Sequence, residues 1–305
     1  MSMDSPNSLL ILGCGYLGRR VADRAVAAGS KVHAVTRSES RAEDLAAAGV
    51  HPVVASLPFD SGDSVTLPST ESLLWAVGFD RSSDRQTIWV EGVQSVVHKL
   101  DRDSPPRRFC LVSSVSVYGD RRGEAVDEMT EPAPTTESGR ACLDMERSAA
   151  ELLRQRVPST QLTVLRLGGI YGPGRLLRRV ESLRQNQPLP GTGSEWLNLI
   201  HVHDAATIIQ AVLRSQNAPD LINVVSPNIV TRQQYYALLA EQSGAGAPIF
   251  EGSSASTGNA SANQGRQRSG NKRVMSRHLS DVDAARLYDD PADGLRQAMK
   301  ESQVS

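Results

Sequence analysis

Cysteine is scarce in this chain: Cys14, Cys110 and Cys142 are an odd number, widely spaced, and form no C-x-x-C pair. Neither a disulfide framework nor a structural zinc site fits that pattern, and a reducing, cytoplasmic compartment is expected. Net charge is nearly absent as well, since 33 Lys and Arg face 34 Asp and Glu and leave −1. No long-range field therefore draws nucleic acid or an anionic membrane, and the expected partner is a small molecule. No apolar run nears the roughly 20 residues that cross a bilayer. The opening MSMDSPNSLLILGCG carries an acid and no cationic segment before its short apolar run, which reads as a buried strand rather than a leader. Sequence repeats are missing too.

What is present is an ordinary globular composition, 39% hydrophobic and 22% charged, over 305 residues. That exceeds a typical domain of roughly 100 to 200 residues, so one large domain or a nucleotide domain with a smaller lobe is expected. Strand-length apolar runs at 9–12, 31–35, 50–55, 73–77, 109–113 and 163–167 alternate with helical patterns at 17–28, 42–48, 89–100 and 142–154. This rhythm predicts an α/β fold, a doubly wound parallel sheet of Rossmann type. After Gly168 it loosens into the turns GGIYGPGR and QPLPGTG, then a strand at 221–225 and a helix at 233–242. The expected division is a dinucleotide domain of 1–167 plus about 199–225, with 168–198 and 226–305 as a smaller interleaved C-terminal lobe. Residues 252–271 are too poor in apolar side chains to offset ordering entropy and read as a mobile loop.

Gly13, Gly15 and Gly18 form G-x-G-x-x-G directly between an apolar strand and an amphipathic helix, with Tyr16 and Leu17 inside the motif. The first glycine permits the tight turn, the second lets backbone approach a pyrophosphate, and the third lets helix pack on strand. Helix N–H groups and the dipole then favour the phosphates. Where NAD-binding proteins carry an acid at the end of the second strand, this chain has Arg37. A guanidinium suits a 2′-phosphate, so NADP is favoured while NAD stays open. Val77 and Gly78, at the carboxyl end of the fourth strand, are expected to line adenosine or ribose, and Ser113 to face the same crevice.

Beyond the loop, LVSSVSVYGD (111–120), LRLGGIYGPGR (165–175), NLIHVHDAA (198–206) and NVVSP (223–227) follow one another in a pattern that resembles the extended short-chain dehydrogenase/reductases, the NAD-dependent epimerase/dehydratases, and specifically their atypical members. The resemblance implies that Ser114 hydrogen-bonds the substrate oxygen. It also implies a tyrosine as general acid/base where Ser138 stands and a lysine, to depress its pKa, where Cys142 stands; no Y-x-x-x-K occurs in the chain. Tyr118 is the candidate to rescue the missing acid, with Glu137 and Arg140 beside the vacated position. Leu12 replaces the family's first glycine. Gly169 replaces the asparagine that holds a sugar nucleotide, which disfavours such a substrate. His201 and His203 would share a face of a strand like metal ligands, but the resemblance assigns H-V-x-D to a structural turn and no metal is expected. Two readings remain: an oxidoreductase or epimerase-like enzyme moving hydride on a small carbonyl or alcohol, and a sensor that has kept its nucleotide and lost its acid. The resemblance also implies a homodimer through the helices flanking the sheet.

Overall fold

A computed structural model of the chain describes residues 7–60, 62, 65–78, 84–253 and 270–302. The first half runs β1 (Ser8–Leu12), α1 (Tyr16–Ala27), β2 (Lys31–Thr36), α2 (Glu39–Ala47), β3 (His51–Val54), β4 (Ser72–Trp75), α3 (Gly92–Lys99), β5 (Arg108–Ser114), β6 (Ala125–Val126), α4 (Glu137–Arg156) and β7 (Gln161–Leu167). The second adds β8 (Gly169–Tyr171), α5 (Leu177–Arg184), β9 (Trp196–Leu197), β10 (Leu199–His201), α6 (Val202–Arg214), β11 (Leu221–Val224), β12 (Val230–Thr231), α7 (Arg232–Ser243), β13 (Arg273–Val274) and α8 (Pro291–Ser302). Seven of the strands make one sheet in the order β11-β7-β5-β4-β1-β2-β3, every pair parallel. That is the doubly wound sheet expected from the alternating pattern.

Strand alternation divides the core in two. Leu9, Ile11, Leu74, Cys110 and Leu165 face one side, where α1 and α6 pack. Leu10, Leu12, Leu73, Trp75, Phe109 and Leu111 face the other, against α3 and α4. Both faces being covered explains why these strands read as continuous apolar runs instead of alternating ones. A third cluster, with Tyr171, Leu183, Tyr235, Leu239, Phe250, Leu295 and Met299, gathers α5, α7 and α8. The pairs β8–β10, β9–β12 and β6–β13 lie outside the main sheet.

Four elements differ from the sequence reading. Helix α3 begins early, as a π-helical turn at Gln86–Glu91, and Trp89 Nε1 donates to the Val77 carbonyl at 3.1 Å. The HVHD segment is no turn: His201 ends β10 and caps α6, a thirteen-residue helix whose Val202, Ala205, Ala206, Ile208, Ile209 and Val212 are buried. The paired histidines drew the sequence reading away from that apolar stripe. Helices α5, which has no side-chain cap, and α8, which Asp290 caps by accepting from Ala292 N with Pro291 at its first position, were also unread. The central part of the expected mobile loop, 254–269, lies outside the described residues.

The outer strand β11 carries its own guard. Asn223 N donates to Glu128 Oε1 at 2.8 Å, and Asn223 Nδ2 to the Met275 carbonyl at 2.9 Å. Among the described residues no helix is long and apolar enough to cross a membrane.

Candidate functional site

The turn from β1 into α1 depends on two of its three glycines for space. Gly13 has φ +89°, and a Cβ there would come within 2.5 Å of the Ala76 carbonyl oxygen. A Cβ on Gly18 would overlap the Gly13 carbonyl, so the helix can lie this close to the strand only without one. Gly15 is different. A Cβ on it would meet nothing within 4 Å, so no neighbouring atom excludes a side chain there. What its bareness leaves is free room over the start of α1, where no side chain caps the helix and no acid stands in the first turn. Such an end offers unmet N–H groups and positive potential to an anion.

That room opens on a cavity of about 270 Å³ lined by Gly13, Cys14, Gly15, Val35, Thr36, Arg37, Ser38, Arg41, Ala55, Leu57, Val77, Gly78 and Ile88. Its walls are of two kinds. Val35, Ala55, Leu57, Val77 and Ile88 give apolar contact for a flat ring, while Arg37, Ser38 and Arg41 gather two guanidiniums and a hydroxyl where β2 passes into α2. Ser38 caps α2 by accepting from Arg41 N, and Arg41 Nη2 donates to the Cys14 carbonyl at 3.1 Å, tying α2 to the glycine turn. The sequence reading named Arg37 and missed Ser38 and Arg41. The run TRSESR held the signal, because a Ser cap puts the residue three positions on in the helix's first turn. Burial pushes the Cys14 thiol up to about 11, so it lines the cavity as a neutral group.

Of the expected site residues, the fold brings Gly13, Gly15, Arg37, Val77 and Gly78 to this cavity, with Tyr16, Leu17 and Gly18 following in α1. Ser113, Ser114, Tyr118 and Ser138 do not line it. They meet elsewhere, where β5 ends in a short 3₁₀ turn, Val115–Tyr118, and the start of α4 abuts it: a Cβ on Gly139 would come within 2.7 Å of the Ser116 carbonyl. Ser114 Oγ accepts from Ser116 N at 3.1 Å, which leaves its proton available. Ser138 sits in the first turn of α4, its Oγ 3.3 Å from the Thr136 hydroxyl.

The remaining polar groups here are tied to one another. Tyr118 is fully buried and donates its phenol to Asn223 Oδ1 at 2.9 Å, with the Arg166 guanidinium 5.0 Å from its ring centroid. Burial is the main cause that raises this phenol above its ordinary range. Arg166 in turn grips Glu146, Nη2 to Oε2 at 2.7 Å, and Ser113 Oγ donates to Glu146 Oε1 at 2.5 Å. Cys142 is buried beside them. Burial first, and then the Glu146 charge, push its thiol up to about 12, so a neutral thiol occupies the position where the family resemblance implies an ammonium. The Glu146–Arg166 pair was invisible in the sequence, because nothing in the spacing of one helix and one strand announces that two charges will be buried together.

His201 and His203 stack at 5.2 Å between ring centroids rather than converging on a point. His201 Nδ1 accepts from His203 N, which places the ring proton on Nε2, and burial drives the imidazole pKa down to about 3. Asp204 accepts from Leu287 N and Tyr288 N at 2.8 and 3.0 Å, fixing a distant loop.

A model of the NAD dependent epimerase/dehydratase family matches residues 9–224. Protein YeeZ of Escherichia coli K12 is 28% identical over 247 residues, 80% of this chain and 86% of that protein. A solved protein from Methylobacillus flagellatus is 30% identical with a TM-score of 0.73, covering 97% of this chain and all of its own. The human epimerase family protein SDR39U1, solved with NADPH, is 19% identical with a TM-score of 0.75 over 96% of this chain and 99% of its own.

Proposed function

Because the chain belongs to the NAD-dependent epimerase/dehydratase family, we propose that it binds NADP, in preference to NAD, along the glycine-turn cavity and moves hydride to or from a small carbonyl or alcohol compound. The observation that carries the reading is the pairing of Arg37 and Arg41 with Ser38 on one wall of the cavity whose other end is the bare Gly15 and the uncapped α1. The residues present fit the group: apolar walls for adenine, two guanidiniums for a 2′-phosphate, and helix N–H groups for the pyrophosphate. A human neighbour of the same fold is described with NADPH, which agrees with this. The nicotinamide supplies the hydride when bound. Ser114, with its proton unused by the Ser116 bond, is the residue to orient the substrate oxygen.

A fluorescence titration with NADPH and NADH at matched ionic strength tests the reading. We expect the wild type to prefer NADPH, and Arg37→Glu to lose that preference by about tenfold or more, as for one charge-assisted contact reversed. Equal affinity for both nucleotides would overturn the NADP assignment, and binding of neither would overturn the cofactor.

A second reading has its own observation: the sealed phenol of Tyr118 and the neutral Cys142 leave no proton relay of the family's kind. On that reading the protein senses nucleotide and turns nothing over. Oxidation of NADPH with a panel of aldehydes, ketones and quinones separates the two, and Ser114→Ala should abolish any turnover while sparing nucleotide affinity.

A further inference from the structure

We propose that Arg20 and Arg175, set against the ring of Tyr16, form an oxyanion subsite outside the cavity described above. The subsite lies beside the start of α1, and it rests on the dinucleotide reading only for the identity of its neighbour. The Arg20 guanidinium lies 4.3 Å and the Arg175 guanidinium 4.1 Å from the Tyr16 ring centroid. Two cations are thus held against one phenol at a helix N-terminus, the end where positive charge is least welcome.

Among the described residues no carboxylate is bonded to either guanidinium, although the Glu301 charge is near enough to act on the Tyr16 phenol. Arg20 Nη1 donates to the Tyr16 carbonyl, its Nε is buried with no partner, and Arg175 has only a long bond to the Ile170 carbonyl at 3.5 Å. Among the described residues neither forms an ion pair. The other α1 arginines behave differently. Arg19 pairs with Asp23 at 2.6 Å, and Arg24 donates to His203 O and the Thr207 hydroxyl. Glu301, on α8, is turned toward Gln297 and His203. Other arginines, Arg108 and Arg166 among them, also leave one buried nitrogen without a partner, but here the orphaned Nε belongs to a pair of cations on one ring with no carboxylate bonded to either among the described residues, and an oxyanion is the chemistry that suits a guanidinium pair.

The backbone is shaped to deliver Arg175 to this point. Gly172, at φ +144°, lets the chain pass Tyr16 and Val202: a Cβ there would come within 2.9 Å of Tyr16 Oη and 2.7 Å of Val202 Cγ1. Tyr16 Oη donates to the Pro173 carbonyl at 2.9 Å, and Arg175 N donates to Gly172 O at 3.2 Å, closing the turn. The phenol is therefore committed to holding the turn, and the two guanidiniums keep their charge for a ligand.

The oxyanion has two sources, the pyrophosphate of the dinucleotide or an anionic group of the substrate itself. Calorimetric titrations with NADPH, and with inorganic phosphate in the absence and presence of saturating NADPH, tell them apart. Arg175→Met and Arg20→Met keep much of the apolar packing and remove the charge, and Arg175→Lys restores charge. We expect each Met variant to weaken binding by about tenfold or more, as for one charge-assisted bond, with Arg175→Lys recovering part of it. A loss on NADPH assigns the subsite to the pyrophosphate. A loss on phosphate at saturating NADPH, with NADPH affinity kept, assigns it to an acidic substrate. Unchanged affinity for both ligands in both Met variants overturns the subsite. If the wild type binds no NADPH, the cofactor reading fails, and the phosphate titrations of the free protein still decide this proposal.

Discussion

The cavity beside the glycine turn and the pocket of polar groups behind β5 are built on opposite plans. At the first, bareness is left where no neighbouring atom requires it: Gly15 has open space, α1 is uncapped, and Arg37 reaches the cavity as an exposed side chain. At the second, Tyr118, Asn223, Glu146, Arg166 and Ser113 bond among themselves in the core, with Arg166 Nη1 left over. The difference teaches where ligand energy is available. Groups that bond one another inside the core contribute to holding strands together, whereas the uncapped N–H groups at the start of α1 can contribute to binding.

The sharpest way to break the contrast is Glu146→Ala, which leaves Arg166 buried without its carboxylate. Removing one partner of a buried pair costs roughly 3–5 kcal/mol, read as a lowered urea midpoint, and NADPH affinity of the protein that remains folded should hold. Loss of affinity in step with stability would show that the two regions are not separable. Next in size is acidification. His201 stays neutral in the fold down to about pH 3 while the unfolded chain binds a proton near 6.5, so stability falls as pH falls through that window. Between pH 6.5 and 4.5 the loss from this one ring is about 2–3 kcal/mol, and His201→Asn, which keeps an acceptor to cap α6, should flatten the slope of unfolding free energy by about one proton. A slope unchanged in the variant would place the titration elsewhere. The smallest effect on stability, and the most telling on binding, belongs to Gly15→Ala: melting within about 1 kcal/mol of wild type, with NADPH affinity down about tenfold or more. A melting loss as large as the binding loss would mean that Gly15 serves the fold after all.

Much of the first region was legible because its physics is local. Three glycines between an apolar run and an amphipathic stretch state a tight strand-to-helix turn, and short apolar runs in alternation with helical ones state a parallel sheet. Arg37 was legible for the same reason. Arg41 was not, since its place at the cavity follows only once Ser38 is known to cap a helix. The second region was legible only by resemblance. That resemblance shows which side chains are missing at Ser138 and Cys142, but the burial of Glu146 against Arg166 joins a helix to a strand twenty positions away, and no periodicity carries that pairing. Helix α6 is the opposite lesson, a strong local stripe overlooked because two histidines invited a chemical reading first.

The guard on β11 has a consequence for how this molecule can meet others. The last strand of an open sheet ordinarily presents a row of amide donors that will take up any extended peptide, its own copies included. Here the middle donor already points into a carboxylate, and the side-chain amide of the same residue is bound to a neighbouring carbonyl. The sheet therefore stops at seven strands on that side, and a fibril growing by edge-to-edge addition would first have to pull Glu128 away.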